Sequence, residues 1–299
     1  MPELPEVESL RLSLIPFIRG QRIRKITVTK PKLVSNKGTK RIADESKVAE
    51  FIKNLTDETI VGVDRIAKNL IFQFQSTKVM VVHLKMTGQL VYQSHDKINL
   101  ALGGHPIQES ETKLPNKHSH VVFELDNGTL FYNDTRMFGY LLYYPDFESL
   151  HTNDHFEDLG LDPADPNFTA EYFYKHLQKT SSSIKRIFLS QKIVVGLGNI
   201  YADEACFQAR ILPTRPGKSL KKKEVEKLWK AIVTIIPRAI QDGGSSVANY
   251  LLADGSRGNY ARSHQVYGRG GLPCLVCGRK LIKIEEAGRT TIFCSYCQN

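Results

Sequence analysis

The first apolar pattern along the chain has a helical period. Val7, Leu10, Leu14 and Phe17 or Ile18 recur three or four residues apart, which predicts a short amphipathic helix over Pro5 to Ile18, with Pro5 suited to its first turn. From Arg22 to Tyr144 the period falls to two. The stretches RIRKITV, LIFQFQ, VMVVHLKM, HVVFEL and GTLFYN alternate as strands do, and Asp126 to Gly128 supplies a DNG hairpin turn. The pattern therefore predicts a mainly antiparallel sandwich or barrel led by one helix. Its polar stretch from Gln93 to His118 reads as a long surface loop.

A segment rich in Asp, Asn and Pro follows, HTNDHFEDLGLDPADPN, and reads as a linker. Helical periodicity then returns at Ala170–Lys179, Ile184–Ser190, Ile200–Ala209 and Lys222 to about Gln241. In the last of these Val225, Leu228, Trp229, Ile232, Ile235, Ile236 and Ala239 make one apolar face, a core stripe, and Pro237 is expected to kink or restart the helix. The tail from His264 is too short for a core of its own. The expected class is α+β and multidomain, with boundaries at 1–150, a linker over 151–168, a helical domain over 169–262 and a stapled tail over 263–299.

The tail contains its own staple. Cys274, Cys277, Cys294 and Cys297 form C-x2-C-x16-C-x2-C, a spacing that lets a hairpin bring two thiolate pairs around one tetrahedral Zn²⁺. Four thiolates leave no open position, so the metal is expected to be structural. A pair of disulfides is the alternative, and no secretory signal favours it. Cys206, inside an apolar helical stretch, reads as a buried small residue.

Charge changes the picture more than composition does. The 299 residues carry 41 Lys plus Arg against 31 acids, a net +10. Residues 1–174 hold 20 basic and 23 acidic side chains, whereas 175–299 hold 21 and 8, so the whole surplus lies in the later part. Such a surplus suits a polyanion, since basic groups displace counterions condensed on phosphates. No apolar run approaches a membrane span, and the expected setting is cytoplasmic, at the nucleoid when bound to DNA.

Several motifs, in order, resemble the formamidopyrimidine-DNA glycosylase/endonuclease VIII family. These are MPELPEVE at the start, RIAKNL around Lys68, HLKMTG around Met86, KHSHVVFELDNG around His118 and DTRMFG around Arg136 and Phe138. SSIKRIFL around Lys185, VVGLGNIYADE around Asn199, GGSSVANY over Gly243–Tyr250 and HQVYGRGGLPC with GRTTIFCSYC complete the series. The resemblance runs essentially the whole chain and implies an N-terminal antiparallel β-sandwich with a leading helix, a helix-two-turn-helix domain and a zinc-finger β-hairpin. It further implies a monomeric bifunctional glycosylase and lyase acting on damaged double-stranded DNA, with one structural zinc.

By the same resemblance Pro2 is the covalent nucleophile once Met1 is removed, because an α-amino group titrates far below a lysine side chain. Glu3 and Glu6 are placed beside it as proton carriers, although Glu6 also suits a helix start. Lys68 and Arg289 are implicated in elimination. DNA contacts fall to His118, Arg136, Lys185, Asn199 and Tyr250, with Asn199 read as a capping residue whose helix start seats a phosphate. Met86, Arg136 and Phe138 correspond to the residues that fill the space left by an extruded nucleotide, although Met86 and Phe138 could equally be strand core. The chain departs from the family at KHSH, at the length of the stretch before it, and at Ala248 and Asn249 in the lesion-reading segment. Two alternatives remain: the endonuclease VIII branch, which favours oxidised pyrimidines, and a non-catalytic zinc-finger DNA-binding protein.

Overall fold

The computed structural model describes residues 1–37, 41–96, 100–104, 114–151, 156–245 and 258–299. Two compact units emerge. One comprises Met1–Pro2, Glu6–Glu157 and Gly243–Gly258; the other comprises Glu3–Pro5, Asp158–Asp242 and Asn259–Asn299.

The first unit is a sandwich of two antiparallel sheets. Helix α1 (Leu4–Ile18) precedes β1 (Ile23–Val28), and two further helices, α2 (Lys32–Ser35) and α3 (Glu45–Leu55), follow. Then come β2 (Ile60–Ile66), β3 (Asn69–Phe74), β4 (Val79–His83), β5 (Gly88–Ser94), β6 (Leu100–Gly104), β7 (Ser119–Leu125), β8 (Gly128–Asp134), β9 (Tyr140–Tyr144) and the short α4 (Glu148–His151). The sheets run β1-β7-β8-β5-β6 and β2-β3-β4-β9. Val7, Leu10, Leu14 and Ile18 of α1 enter one core with alternate residues of both sheets, among them Val63, Phe72, Val82, Leu90, Val121, Phe123 and Leu130. The period-two pattern is the direct cause, because only every second side chain faces the interior.

Three elements of this unit differ from the sequence reading. Part of the polar stretch is a strand, since β6 pairs with β5 from Gln89↔Gly104 to Gln93↔Leu100. It reads LALGG, a short apolar start ended by two glycines, and the polar residues on either side hid it. Helices α2 and α3 also lie within the span read as mainly strand, α3 being the longer. Its Val48, Phe51 and Leu55 are buried at helical spacing, and Asp44 caps it by accepting from Ser46 N (2.9 Å) and Lys47 N (3.3 Å).

The second unit holds α5 (Ala170–Leu177), α6 (Ile184–Ser190), α7 (Asn199–Ala209), α8 (Lys222–Gln241) and the hairpin of β10 (Ile282–Glu286) with β11 (Arg289–Phe293). Leu4 packs into its helical core with Phe173, Phe188, Tyr201, Leu228 and Ile232. Helix α8 continues through Pro237 without the expected restart. Pro237 lies near the C-terminal end, where one lost backbone bond disturbs few later residues. The hairpin packs on a separate small core of Phe207, Val266, Leu281 and Ile292 with three of the cysteines. Among the described residues, no helix is long and apolar enough to cross a membrane.

Candidate functional site

The N-terminal motif supplies residues to both units. In the first, Pro2 is buried, and Glu6 in the first turn of α1 is 2% exposed. Its Oε1 accepts from Ser245 N at 2.7 Å, so this carboxylate anchors the start of the GGSS segment. Val247, Ala248, Asn249 and Tyr250, where the sequence places lesion reading and one DNA contact, lie outside the described residues.

Lys68 occupies the turn between β2 and β3, after Ala67 in the left-handed region (φ 54°). A charged network sets that turn. Glu8, on α1, pairs with Arg11 (2.6 Å) and Arg65 (2.8 Å), and Arg65 Nη1 donates to Ala67 O at 3.0 Å. Burial alone would raise the Glu8 carboxyl, but the two guanidiniums outweigh it and hold it below its usual value. The sequence reading missed this network, although Glu8 and Arg11 already stand three residues apart on a predicted helix.

Met86, Arg136 and Phe138 meet on one surface of the same unit. Met86 is 44% and Phe138 41% exposed, which excludes the strand-core alternative for both. The Arg136 guanidinium lies 4.4 Å from the Phe138 ring centroid, and its Nη1 is 3.5 Å from Met86 Sδ. His118 is half-buried just before β7, its N–H donating to Asn116 Oδ1 at 2.9 Å.

In the second unit Glu3 sits on the N-terminus of α7. Its carboxylate accepts from Gly198 N (2.6 Å), Ile200 N (2.8 Å) and Tyr201 N (3.3 Å), amides that would otherwise lack partners. Only glycine fits at 198, because a Cβ there would come within 2.5 Å of Glu3 Cδ. This corrects two expectations for Asn199. The capping position belongs to Gly198, and Glu3 has taken three of the amides read as a phosphate seat. Asn199 instead turns its side chain to the hairpin, where Nδ2 donates to Thr290 O at 3.0 Å, and its buried Oδ1 has no partner among the described residues. Arg289, the residue before Thr290, is exposed at the start of β11, so Asn199 and Arg289 are brought together.

Lys185 does not join them. Its side chain is 0% exposed, with Nζ bonded to Asp203 Oδ1 (2.5 Å) and Asn199 O (3.0 Å). The expected phosphate contact is thereby corrected, because a fully enclosed ammonium cannot reach a backbone phosphate. Asp203 Oδ2 also accepts from Ile292 N of β11 at 3.0 Å. Next to it, Glu204 accepts from the amides of Gln265, Val266 and Tyr267. Burial pushes Asp203 up to about 6 against the pull of Lys185 and raises Glu204 as well. The signal for both was adjacent acids inside an otherwise apolar helix, ADEAC.

The four finger cysteines gather their sulfurs within 4.8 Å of one another, with Cys274 and Cys297 at 3.9 Å and Cys277 and Cys294 at 3.5 Å. These separations are far too long for disulfides, and they match the roughly 3.8 Å edge of a tetrahedron with Zn–S bonds of about 2.3 Å. The finger is built for one structural zinc ion. Cys206 is fully buried and its thiol is pushed well above the usual value by that burial.

Comparison with known proteins covers the same ground from a different direction. Residues 1–141 match the formamidopyrimidine-DNA glycosylase N-terminal domain, 159–250 the H2TH domain of that enzyme, and 271–299 a zinc finger found in FPG and IleRS. The formamidopyrimidine-DNA glycosylase of Desulfitobacterium hafniense is 37% identical over 298 residues, covering 100% of both chains. That of Bacillus cereus is 36% identical, covering 100% of this chain and 99% of its own. Among solved structures, Lactococcus lactis Fpg in complex with abasic-site DNA superposes with a TM-score of 0.85 at 33% identity, covering 99% of both chains. MutM (Fpg) from Thermus thermophilus gives 0.81 at 32%, covering 99% of this chain and 98% of the other. With all three of its parts matched in order and relatives aligned end to end, the chain belongs to the formamidopyrimidine-DNA glycosylase family.

Proposed function

We propose that this protein is a bifunctional DNA glycosylase and abasic-site lyase of base excision repair, acting on oxidised purines in double-stranded DNA at the nucleoid. The observation that carries the reading is its end-to-end likeness to Lactococcus lactis Fpg, whose solved complexes include abasic-site DNA and Fapy-dG-containing DNA. Removal of Met1 frees the Pro2 secondary amine, which attacks C1′ of the damaged nucleotide. The C1′–N bond to the base breaks and the base leaves with the proton the amine gives up; the C1′–O4′ bond then opens as O4′ takes a proton, which leaves an iminium linking enzyme and sugar. That electron sink acidifies C2′–H; loss of the proton expels the 3′ phosphate, a second elimination expels the 5′ phosphate, and water then releases Pro2.

The remaining residues take roles suited to their positions. Glu3, adjacent to Pro2, exchanges protons with the opening sugar or departing base. Lys68 supplies a cation for the lesion-flanking phosphate and the first elimination; Arg289 grips backbone and assists the second elimination, while Asn199 holds the neighbouring Thr290 of the hairpin. Glu6 supports the lesion-reading segment through Ser245. Met86, Arg136 and Phe138 fill the vacated stack, and His118 and Tyr250 add DNA contacts. The zinc holds the finger's shape and takes no step in the chemistry.

Duplexes containing 8-oxoguanine or an oxidised pyrimidine, each incubated with and without borohydride, test the proposal. Strand cleavage and a trapped adduct favouring 8-oxoguanine are expected. Preference for the pyrimidine would move the protein to the endonuclease VIII branch, and no adduct on either duplex would leave only a DNA-binding protein.

A further inference from the structure

Arg136 and Phe138 stand on a turn whose backbone polar groups are largely claimed by two side chains. Asp134, the last residue of β8, is 0% exposed. Its Oδ1 accepts from Arg136 N at 3.2 Å and its Oδ2 from Gly139 N at 2.8 Å, while its own carbonyl accepts from Met137 N at 3.3 Å. Arg41 serves the carbonyl side. Nη2 donates to Met137 O at 2.5 Å and Nη1 to Gly139 O. Between them the turn is held with Met137 in the left-handed region (φ 53°) and with Gly139 so close to Tyr132 that a Cβ would lie 1.7 Å from its hydroxyl.

The same carboxylate reaches the neighbouring turn that carries Met86. Thr87 Oγ1 donates to Asp134 Oδ1 and in turn accepts from Arg136 N at 3.2 Å. Gly88 N closes that turn on Leu84 O at 2.8 Å. One buried acid therefore joins both turns that present Met86, Arg136 and Phe138, and one arginine from a distant part of the chain locks the second.

We propose that Arg41 and Asp134 are positioning residues that pre-form the Met86–Arg136–Phe138 wedge before DNA arrives. The proposal rests on the reading of those three side chains as a wedge. Neither residue touches DNA in this account; each acts through the turns it holds. The advantage is entropic: a wedge already in place pays no ordering cost when it enters an opened base stack. Lysine cannot replace Arg41 fully, because one ammonium lacks the planar fork that spans two carbonyls.

The test uses the full-length protein with two substrates, a lesion-containing duplex and a single-stranded abasic oligonucleotide. The second has no stack to open and so needs no wedge. Arg41→Met and Asp134→Asn should each slow single-turnover excision from the duplex by about tenfold to a hundredfold, the scale of a misplaced positioning group, and leave borohydride trapping on the single strand within about twofold. Arg41→Lys should fall between Arg41→Met and the parent. Loss of trapping on the single strand as well would mean a general folding role and overturn the proposal. Unchanged duplex rates in Arg41→Met and Asp134→Asn, with losses in Phe138→Ala and Arg136→Ala, would overturn it while sparing the wedge. Unchanged rates in Phe138→Ala and Arg136→Ala would remove the wedge and the clamp together.

Discussion

Asp134 in the sandwich and Asp203 in the helical unit are both fully enclosed carboxylates, yet they are held in opposite ways. Asp134 bonds to backbone amides and hydroxyls, from Arg136, Gly139, Thr87 and Tyr132, and its nearby cation, Arg41, bonds instead to carbonyls of the same turn. Asp203 meets a full counter-charge, the Lys185 ammonium, and, among the described residues, one amide, that of Ile292. The first arrangement organises turns, since its closest partners are the amides of its own turn and a hydroxyl from the turn beside it. The second joins whole elements, α6, α7 and β11. Buried charge thus serves two purposes here: shaping a presented surface in one unit and fastening the finger in the other.

Four measurements bear on how each unit is held and what it does. The largest is expected at the metal. Structural zinc contributes on the order of 10 kcal/mol to a finger's folding, so Cys294→Ser should lose the metal and DNA binding while the sandwich stays folded. Metal analysis and circular dichroism would show it, and full binding in a zinc-free protein would contradict it. Next comes the ion pair. Lys185→Met leaves Asp203 enclosed without its cation and should cost about 3–5 kcal/mol in urea unfolding, whereas Lys185→Met with Asp203→Leu should recover most of that loss. An unchanged stability in the single variant would mean the pair is not what fastens these elements.

A pH effect of similar size is expected from His264, which is 8% exposed between Tyr260 and Tyr267. Burial pushes it down to about 4, below the unfolded value of about 6.5. The folded state therefore favours the neutral ring. Its contribution is complete above about pH 6.5, declines as the pH falls, and is gone near pH 4, amounting to roughly 3 kcal/mol. The difference in stability between the parent and His264→Gln should change across that window, and a constant difference would refute the assignment. The smallest effect concerns Arg289→Ala. It should weaken binding to damaged and undamaged duplexes alike and make the salt dependence shallower by about one unit. A change in lesion ranking with the salt slope intact would mean that Arg289 reads the lesion.

The sequence was most informative where a periodic pattern or fixed spacing coincides with a physical need. The α1 stripe, the alternating strands and the C-x2-C pairs fall in this class, because a core face and a tetrahedral site each impose regular intervals. It was least informative where a residue's partner lies far along the chain. Lys185 reads as one more basic residue until Asp203 is seen beside it, and Glu3 reads as a proton carrier with no hint that α7 receives it. Arg41 shows the same limit, since its partners lie almost a hundred residues away. The Glu8–Arg11–Arg65 network was half legible, through spacing on α1.

Chemistry at the second residue leaves a covalent mark whose position can be read. Protein lacking Met1 would be reacted with an 8-oxoguanine duplex under borohydride, digested with nuclease and protease, and the sugar-bearing peptide sequenced by mass spectrometry. The remnant should lie on the nitrogen of Pro2, with no adduct from protein that keeps Met1. A remnant on Lys68 or any other internal lysine, or equal trapping with Met1 in place, would contradict it.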